Sequence, residues 1–173
     1  MRYAYYANLK PRDKAIYRRS DAVGKIELTR PAALAPLVRA LAGALESERR
    51  DSIARAAQTL ANGLLDGLAV ARVRIKVLST RPSTTASELH GLYEPPERRA
   101  SAVITVWMRT AHHRRVVAFR TFLRTLLHEL CHHLDYELLK LEDSFHTEGF
   151  FKRESSLFNQ LVVTPSRRAR GAG

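Results

Sequence analysis

The hydrophobic positions of the first 70 residues follow mainly a helical period. A leucine recurs every fourth residue at 37–45, and Pro31 is placed to open that helix. Apolar residues at 53–65 repeat at i, i+3, i+4 and i+7, and Gly67 is expected to end this second helix. The two helices are predicted to pack as a hairpin. Before them, two short β-prone runs separated by turn residues at 15–28 predict a β-hairpin.

In the middle of the chain the hydrophobic residues recur at every second position instead of at helical spacing. Residues 72–77 alternate strictly between polar and apolar, which is typical of a half-buried strand. Three cations form the polar face of this strand: Arg72, Arg74 and Lys76. Two further strands are predicted at 88–93 and 102–108, and the second is the most β-prone run of the sequence.

Helical spacing returns in the last third of the chain. It predicts a long helix over about 117–140 and another from about 147 to 161. These elements together predict an α+β fold, with an N-terminal helical hairpin and a small mixed sheet packed on the long helix. We expect a single domain over 1–164 and a basic, flexible tail over 165–173.

Charge and composition narrow the class of protein. The 173 residues carry a net charge of +12, which indicates an anionic partner or a basic soluble protein. The excess lies in residues 1–120, with 22 Lys and Arg against 10 Asp and Glu, whereas 121–164 hold 4 against 7. There is no run of about 18 apolar residues and no signal-peptide pattern, and one cysteine fits a reducing compartment. The prediction is a cytoplasmic protein with no membrane partner.

The sequence at 128–132 reads His-Glu-Leu-Cys-His, an HExxH motif inside the predicted long helix. Two histidines four residues apart lie about 40° apart around a helix and ~6 Å apart along it, so His128 and His132 can reach one metal ion. Glu129 lies beside them, where it can accept a proton from a water molecule. This chemistry is that of a zinc-dependent hydrolase.

A catalytic zinc usually takes three protein ligands, so one more is needed. His146 is favoured, because a chain reversal after the helix would return it to the level of the motif. Glu154 on the following helix is its rival, and Glu148 is the third candidate. The glycine and histidine of the metzincin extension are replaced by Asp135 and Leu138, which excludes that class.

The motif and the segment after it resemble the SprT-like zinc metallopeptidases. In that family an HExxH helix is followed by a short connection and an H-x-x-x-[FW] turn, which His146 and Phe150 match here. Gly-Leu-Tyr at 91–93 and Ile-Thr-Val at 104–106 also resemble the strand pair that precedes the active helix. The resemblance covers about 88–161. It implies a zincin-like fold, Zn²⁺ and a protein or peptide substrate, and in this family some substrates are proteins crosslinked to DNA. One cysteine leaves no C-terminal zinc ribbon, which family members often carry.

Several neighbours of the motif have predicted subsidiary roles. Asp135 is too far along the helix to share a metal with both histidines, but points the same way and could support a ligand from behind. Tyr136 is one candidate to stabilise an oxyanion, although a packed tyrosine is the simpler interpretation. His133 should face away from the metal, and Cys131 should be a buried apolar residue. Four residues upstream are candidates to line a cleft: His90, Tyr93, His112 and His113.

A second hypothesis is a nucleic-acid-binding protein with a structural or vestigial zinc site. It is supported by the basic residues of 1–120 and by the strand face of Arg72, Arg74 and Lys76. A solvated sheet surface is the simpler interpretation of that face. The two functions are compatible, since a protease that acts on DNA-bound proteins needs both.

Overall fold

The computed structural model describes residues 3–82, 90–97 and 100–162. A 3-10 turn over Ala4–Asn8 precedes five helices and three strands. In chain order these are α1 (Pro11–Asp21), α2 (Pro31–Glu46), α3 (Arg50–Gly67), β1 (Arg74–Thr80), β2 (Gly91–Glu94), β3 (Val103–Arg109), α4 (Phe119–Glu137) and α5 (Glu148–Val162).

The three strands form one mixed sheet in the order β1-β3-β2. β1 runs parallel to β3, with Ile75 opposite Ile104, and β2 runs antiparallel to β3, with Gly91 opposite Val106. α3 packs on β1 and α4 packs on β2 and β3, so the apolar side of the sheet closes on a helical layer. The predicted α+β class, the mixed sheet and the α2–α3 hairpin are confirmed.

The two edges of the sheet differ. Gln58 of α3 caps the outer edge of β1, because its side-chain amide donates to the Val73 carbonyl at 2.8 Å and accepts from the Ile75 N–H at 2.8 Å. Within the described ranges, β2 has no strand or capping side chain of this kind on its second edge. An unpaired strand edge is a template for another extended chain.

The predicted β-hairpin at 15–28 is wrong. Its first half lies in α1, where Pro11 starts the helix and Ile16, Tyr17 and Ser20 form the buried side. Its second half is extended but is not a strand, since the side chain of Gln160 binds the backbone of Ile26 and Leu28 instead. The β-prone residues were misleading because tertiary burial, rather than local propensity, decided both segments.

The other predicted boundaries needed small changes. β1 begins at Arg74 rather than at residue 72 and extends to Thr80, although the alternation of exposed and buried residues holds from 72 to 77. The strand predicted at 88–93 is observed at 91–94, and its first two residues lie outside the described part of the chain. The predicted tail at 165–173 also lies outside it.

The N-terminal segment is tied to α5 by a buried arginine. Arg153 is fully buried and donates to the backbone carbonyls of Ser20 and Val23. At the start of α5, the Gly149 N–H donates to the Asp21 carboxylate at 2.9 Å, and a Cβ at residue 149 would lie 2.5 Å from the Asp21 carbonyl oxygen. Glycine is therefore required where α1 ends against α5.

Across the three described ranges, none of the helices is both long and apolar enough to cross a lipid bilayer.

Candidate metal centre

The HExxH motif lies in the middle of α4, on a helix whose opposite side is anchored in the core. Leu123, Leu126, Leu127 and Leu130 are all at most 1% exposed, so the helix cannot rotate about its axis. This leaves His128 and His132 on the side that faces an open cleft. The local sequence thus fixes both the helix and the direction in which the motif points.

A sharp reversal after α4 brings His146 to the same place. Lys140 adopts a positive φ of 51° just after the helix, and the Leu141 N–H donates back to the Asp135 carbonyl at 2.9 Å. Thr147 then caps α5, because its hydroxyl accepts the Phe150 N–H at 2.9 Å. His146 lies between the chain reversal after α4 and the cap at the start of α5, which together hold its backbone in place.

The three imidazoles converge through their Nε2 atoms. His146 Nε2 lies 3.0 Å from His128 Nε2 and 3.1 Å from His132 Nε2, and the three groups have ligand atoms within 4.8 Å of one another. Three nitrogens at tetrahedral positions around a zinc ion, with bonds of 2.0–2.1 Å, would be about 3.3 Å apart. The spacing therefore fits a single metal ion, and the ring of buried Phe150 packs against all three histidines.

The hydrogen bonds at Nδ1 set the tautomers of two of these histidines. His128 Nδ1 donates to the Glu154 carboxylate at 3.0 Å, and His132 Nδ1 donates to Ser144 Oγ at 2.7 Å, because the Ser144 hydroxyl itself donates to Asp135 at 2.8 Å. Both Nε2 atoms are then lone-pair acceptors. Facing lone pairs repel unless a cation lies between them, so the donor set fits a metal ion.

Burial favours the neutral form of His132 and His146, which is the form that binds metals. Burial lowers the pKa of His132 to about 3, with a further lowering from His128 and His146. Burial likewise lowers the pKa of His146.

The two rival ligands lie elsewhere. Glu154 stands behind His128 at Nδ1, where it orients the ring, and its side chain is only 12% exposed. Glu148 forms an exposed ion pair with Lys152 at 2.8 Å. The structure therefore brings together His128, His132 and His146, and gives Glu154 the role of an orienting partner.

A relay of polar groups supports His132 from behind. Asp135 is fully buried and accepts from Ser144 at 2.8 Å with one oxygen and from Arg153 at 2.7 Å with the other. The predicted supporting role of Asp135 agrees with these contacts, whereas Ser144 and Arg153 are not among the predicted site residues. No periodic signal marks those two residues, since Ser144 lies in a loop and Arg153 reads as a surface arginine on an amphipathic helix.

Glu129 lies in the same cleft and is 6% exposed. Burial raises its pKa to about 7, partly opposed by the nearby His128. Its carboxylate packs on the backbone of Gly91 in β2, where an added Cβ would lie 2.4 Å from Oε1 and 2.7 Å from Cγ. Only glycine leaves room for this carboxylate, so Gly91 is a site residue that the sequence analysis did not identify as one.

The cleft has a volume of about 590 Å³ and runs between β2 and α4. Of the four candidates to line a cleft, His90 and Tyr93 line it, whereas His112 and His113 are exposed in the turn between β3 and α4 and are not part of its lining. Tyr136 also lines the cleft, but its hydroxyl donates to Asp143 at 3.3 Å and its ring stacks on Tyr93.

The two remaining residues of the motif region have structural roles. His133 is buried between β2 and the segment before β1, with Nε2 donating to the Ala71 carbonyl at 2.7 Å and Nδ1 accepting from the Tyr93 hydroxyl at 3.1 Å. It thereby fixes the Tyr93 ring in the cleft wall. Cys131 is a fully buried core residue, as expected.

The cations predicted to bind nucleic acid are exposed, but differ in their partners. Arg72 forms a two-point pair with Asp66, at 2.9 and 2.7 Å, which engages its guanidinium. Arg74 and Lys76 both project from the outer face of β1 into solvent.

Comparisons of the chain with protein-family models, with curated proteins and with solved structures find no match.

We expect His146→Ala to lose a bound metal ion that Glu154→Gln retains. His146 supplies one of three converging nitrogens, whereas Glu154 only orients His128. The loss of the Glu154 carboxylate should therefore weaken the affinity for zinc by about 10- to 100-fold. The metal content of each variant is measured after equilibration with Zn²⁺ and dialysis, and affinity is measured by competition with a chromophoric chelator. A full equivalent of metal in His146→Ala would contradict this ligand set and move the third ligand to a glutamate.

Proposed function

We propose that this protein is a zinc-dependent metallopeptidase of SprT-like character, with a zincin-like fold, that acts inside the cell on proteins or peptides. The observation that carries the proposal is the convergence of three histidine Nε2 atoms in one cleft with a buried glutamate, beside a strand edge that has no described partner.

Three nitrogen ligands and an open cleft are typical of catalytic zinc sites, whereas structural zinc sites are closed by a fourth protein ligand. Zinc held by His128, His132 and His146 would supply Lewis-acid polarisation of the scissile carbonyl and lower the pKa of an attacking water.

Glu129 is the general base of this proposal. Its carboxylate takes a proton from the attacking water and delivers it to the leaving amine, so that one water is consumed for each amide bond broken. A base of this kind works best when its pKa is near the working pH, and burial in the cleft moves the pKa of Glu129 in that direction. Gly91 leaves room for this carboxylate in the cleft that the three histidines also line.

The second edge of β2 gives the substrate a place to bind. Backbone N–H and C=O groups along Gly91–Glu94 can pair with an extended peptide, which adds one strand to the sheet. Tyr93 and Leu92 line the cleft beside this edge, and Leu92 is 40% exposed. An extended peptide fits this arrangement better than a folded protein surface, which favours flexible segments as substrates.

We expect Glu129→Gln to keep bound zinc and to lose hydrolysis of fluorescein-labelled casein by at least about 100-fold. The amide keeps the shape of the side chain but cannot accept the proton, and general-base catalysis contributes roughly 10²- to 10⁴-fold. Activity and zinc content are measured on the same preparation. Unchanged hydrolysis in Glu129→Gln, or a zinc-loaded wild type that cleaves no casein, would contradict the proposal.

Gly91→Ala is expected to lower kcat by about 100-fold while zinc stays bound. The new methyl group would clash with the Glu129 carboxylate, which must then leave the position that it holds in the cleft. Gly43→Ala is the matched control, since a Cβ at residue 43 meets nothing within 4 Å. Equal activity of the two glycine variants would show that the close packing of Gly91 on Glu129 does not matter for the reaction.

A second candidate function is nucleic-acid binding, which would place substrates on a nucleic acid. The exposure of Arg74 and Lys76 on one face of β1 favours it.

We expect the affinity for a fluorescent DNA duplex to fall steeply with salt concentration. The double variant Arg74→Gln/Lys76→Gln should reduce the slope of log affinity against log salt concentration by an amount that corresponds to about two phosphate contacts. Lys140→Gln, in the acidic part of the chain, is the control. Absence of binding at low salt would remove this candidate.

A further inference from the structure

We infer that Arg124 makes this protein selective for peptides with an acidic side chain on the C-terminal side of the scissile bond. This inference rests on the proposed peptidase function and specifies its substrate class.

Arg124 belongs to the cleft by its position on α4. It lies one turn before His128, so both side chains leave the same side of the helix, and both line the cleft together with Thr125. Of the described residues that line the cleft, Arg124 is the only lysine or arginine.

The guanidinium is oriented by the protein but keeps its donors available. It lies over the ring of buried Phe158, with 4.0 Å between Cζ and the ring centroid. Of the described carboxylates, that of Glu154 forms an ion pair with Arg124, with 3.6 Å between Nη1 and Oε1, which is too long for a hydrogen bond. Arg124 makes no hydrogen bond to any residue that the structure describes, and its side chain is 45% exposed.

Glu154 also lines the cleft, but it offers a substrate little negative surface. Its side chain is 12% exposed, and its second oxygen accepts from His128 Nδ1 at 3.0 Å. Within the cleft the cation is therefore more exposed than the carboxylate, at 45% for Arg124 against 12% for Glu154. An arginine held in this way is suited to bind a carboxylate with two parallel N–H donors.

The direction of β2 decides which side of the scissile bond Arg124 meets. Gly91 packs on Glu129, and two residues later Tyr93 contacts His133 and Tyr136, so β2 and α4 run the same way along the cleft. Arg124 then lies beyond the start of β2, near His90. A peptide paired antiparallel to β2, the more stable arrangement, runs with its C-terminal half toward Arg124.

The test uses peptides that differ only in having Glu, Gln or Lys at one position on either side of a single cleavage site. We expect kcat/KM of the wild-type zinc protein to be about 10-fold higher for Glu than for Gln on the C-terminal side. This is the lower end for a charge-assisted hydrogen bond, because the guanidinium is half exposed. Arg124→Gln should remove the preference, and Arg124→Glu should shift it toward Lys.

Arg120→Glu is the matched control. Arg120 lies one turn earlier on α4 and is also stacked over Phe158, at 4.9 Å, but it does not line the cleft. Arg120→Glu changes the charge of α4 by the same amount as Arg124→Glu. A general electrostatic effect would therefore change the peptide preference in both variants. We expect the preference of Arg120→Glu to equal that of the wild type.

A binding measurement separates this inference from the peptidase proposal. Fluorescence anisotropy of the labelled Glu and Gln peptides is measured on Glu129→Gln and on Glu129→Gln/Arg124→Gln, each with its zinc content determined. The Glu peptide should bind about 10-fold more tightly to the first protein and equally to the second.

Hydrolysis without a preference that depends on Arg124, together with equal binding of both peptides, would overturn the inference while leaving the peptidase proposal intact. Loss of hydrolysis for all peptides with the zinc-loaded wild type would instead overturn the peptidase proposal. A preference on the N-terminal side that disappears in Arg124→Gln would overturn the antiparallel orientation on which the inference is built.

Discussion

The buried ion pair between Arg153 and Asp135 is the interaction on which the rest of the site depends. Both side chains are fully buried and their charged atoms lie 2.7 Å apart. From Asp135 the hydrogen bonds continue through Ser144 to His132, and from Arg153 they continue to the carbonyls that end α1. Removing one partner of such a pair leaves an uncompensated charge, at a cost of about 3–5 kcal/mol. The N-terminal segment and the histidine cluster are thereby parts of one structure.

Close packing adds a second constraint at the other wall of the cleft. The Glu129 carboxylate occupies the space that a side chain at residue 91 would need, and Phe150 fills the space beneath the three histidines. The imidazoles of His128 and His132 are further oriented by Glu154 and Ser144, respectively. Each group that would hold a metal or move a proton is thus fixed by a neighbour before any ligand binds, which reduces the reorganisation that catalysis requires.

The two edges of the sheet have different surroundings, and the charges are unevenly distributed along the chain. Gln58 closes the edge of β1, while the edge of β2 faces the cleft and Arg124 stands at one of its ends. The large positive charge belongs to residues 1–120, whereas 121–164, which carry the histidines, hold more acidic than basic residues. Arg124 is one of the four lysines and arginines of this acidic part of the chain, and it lines the cleft.

The sequence by itself determined the α2–α3 hairpin, the alternation of β1 and the long helix that carries HExxH, because each depends on a period that neighbouring residues set. It also determined that His128 and His132 share one side of α4. The tertiary structure alone decided that His146 rather than Glu154 joins them, that α1 replaces a predicted hairpin, and that Gly91, Ser144 and Arg153 belong to the site. These outcomes depend on contacts between residues far apart in the chain, such as Ser20 with Arg153, which no local pattern records.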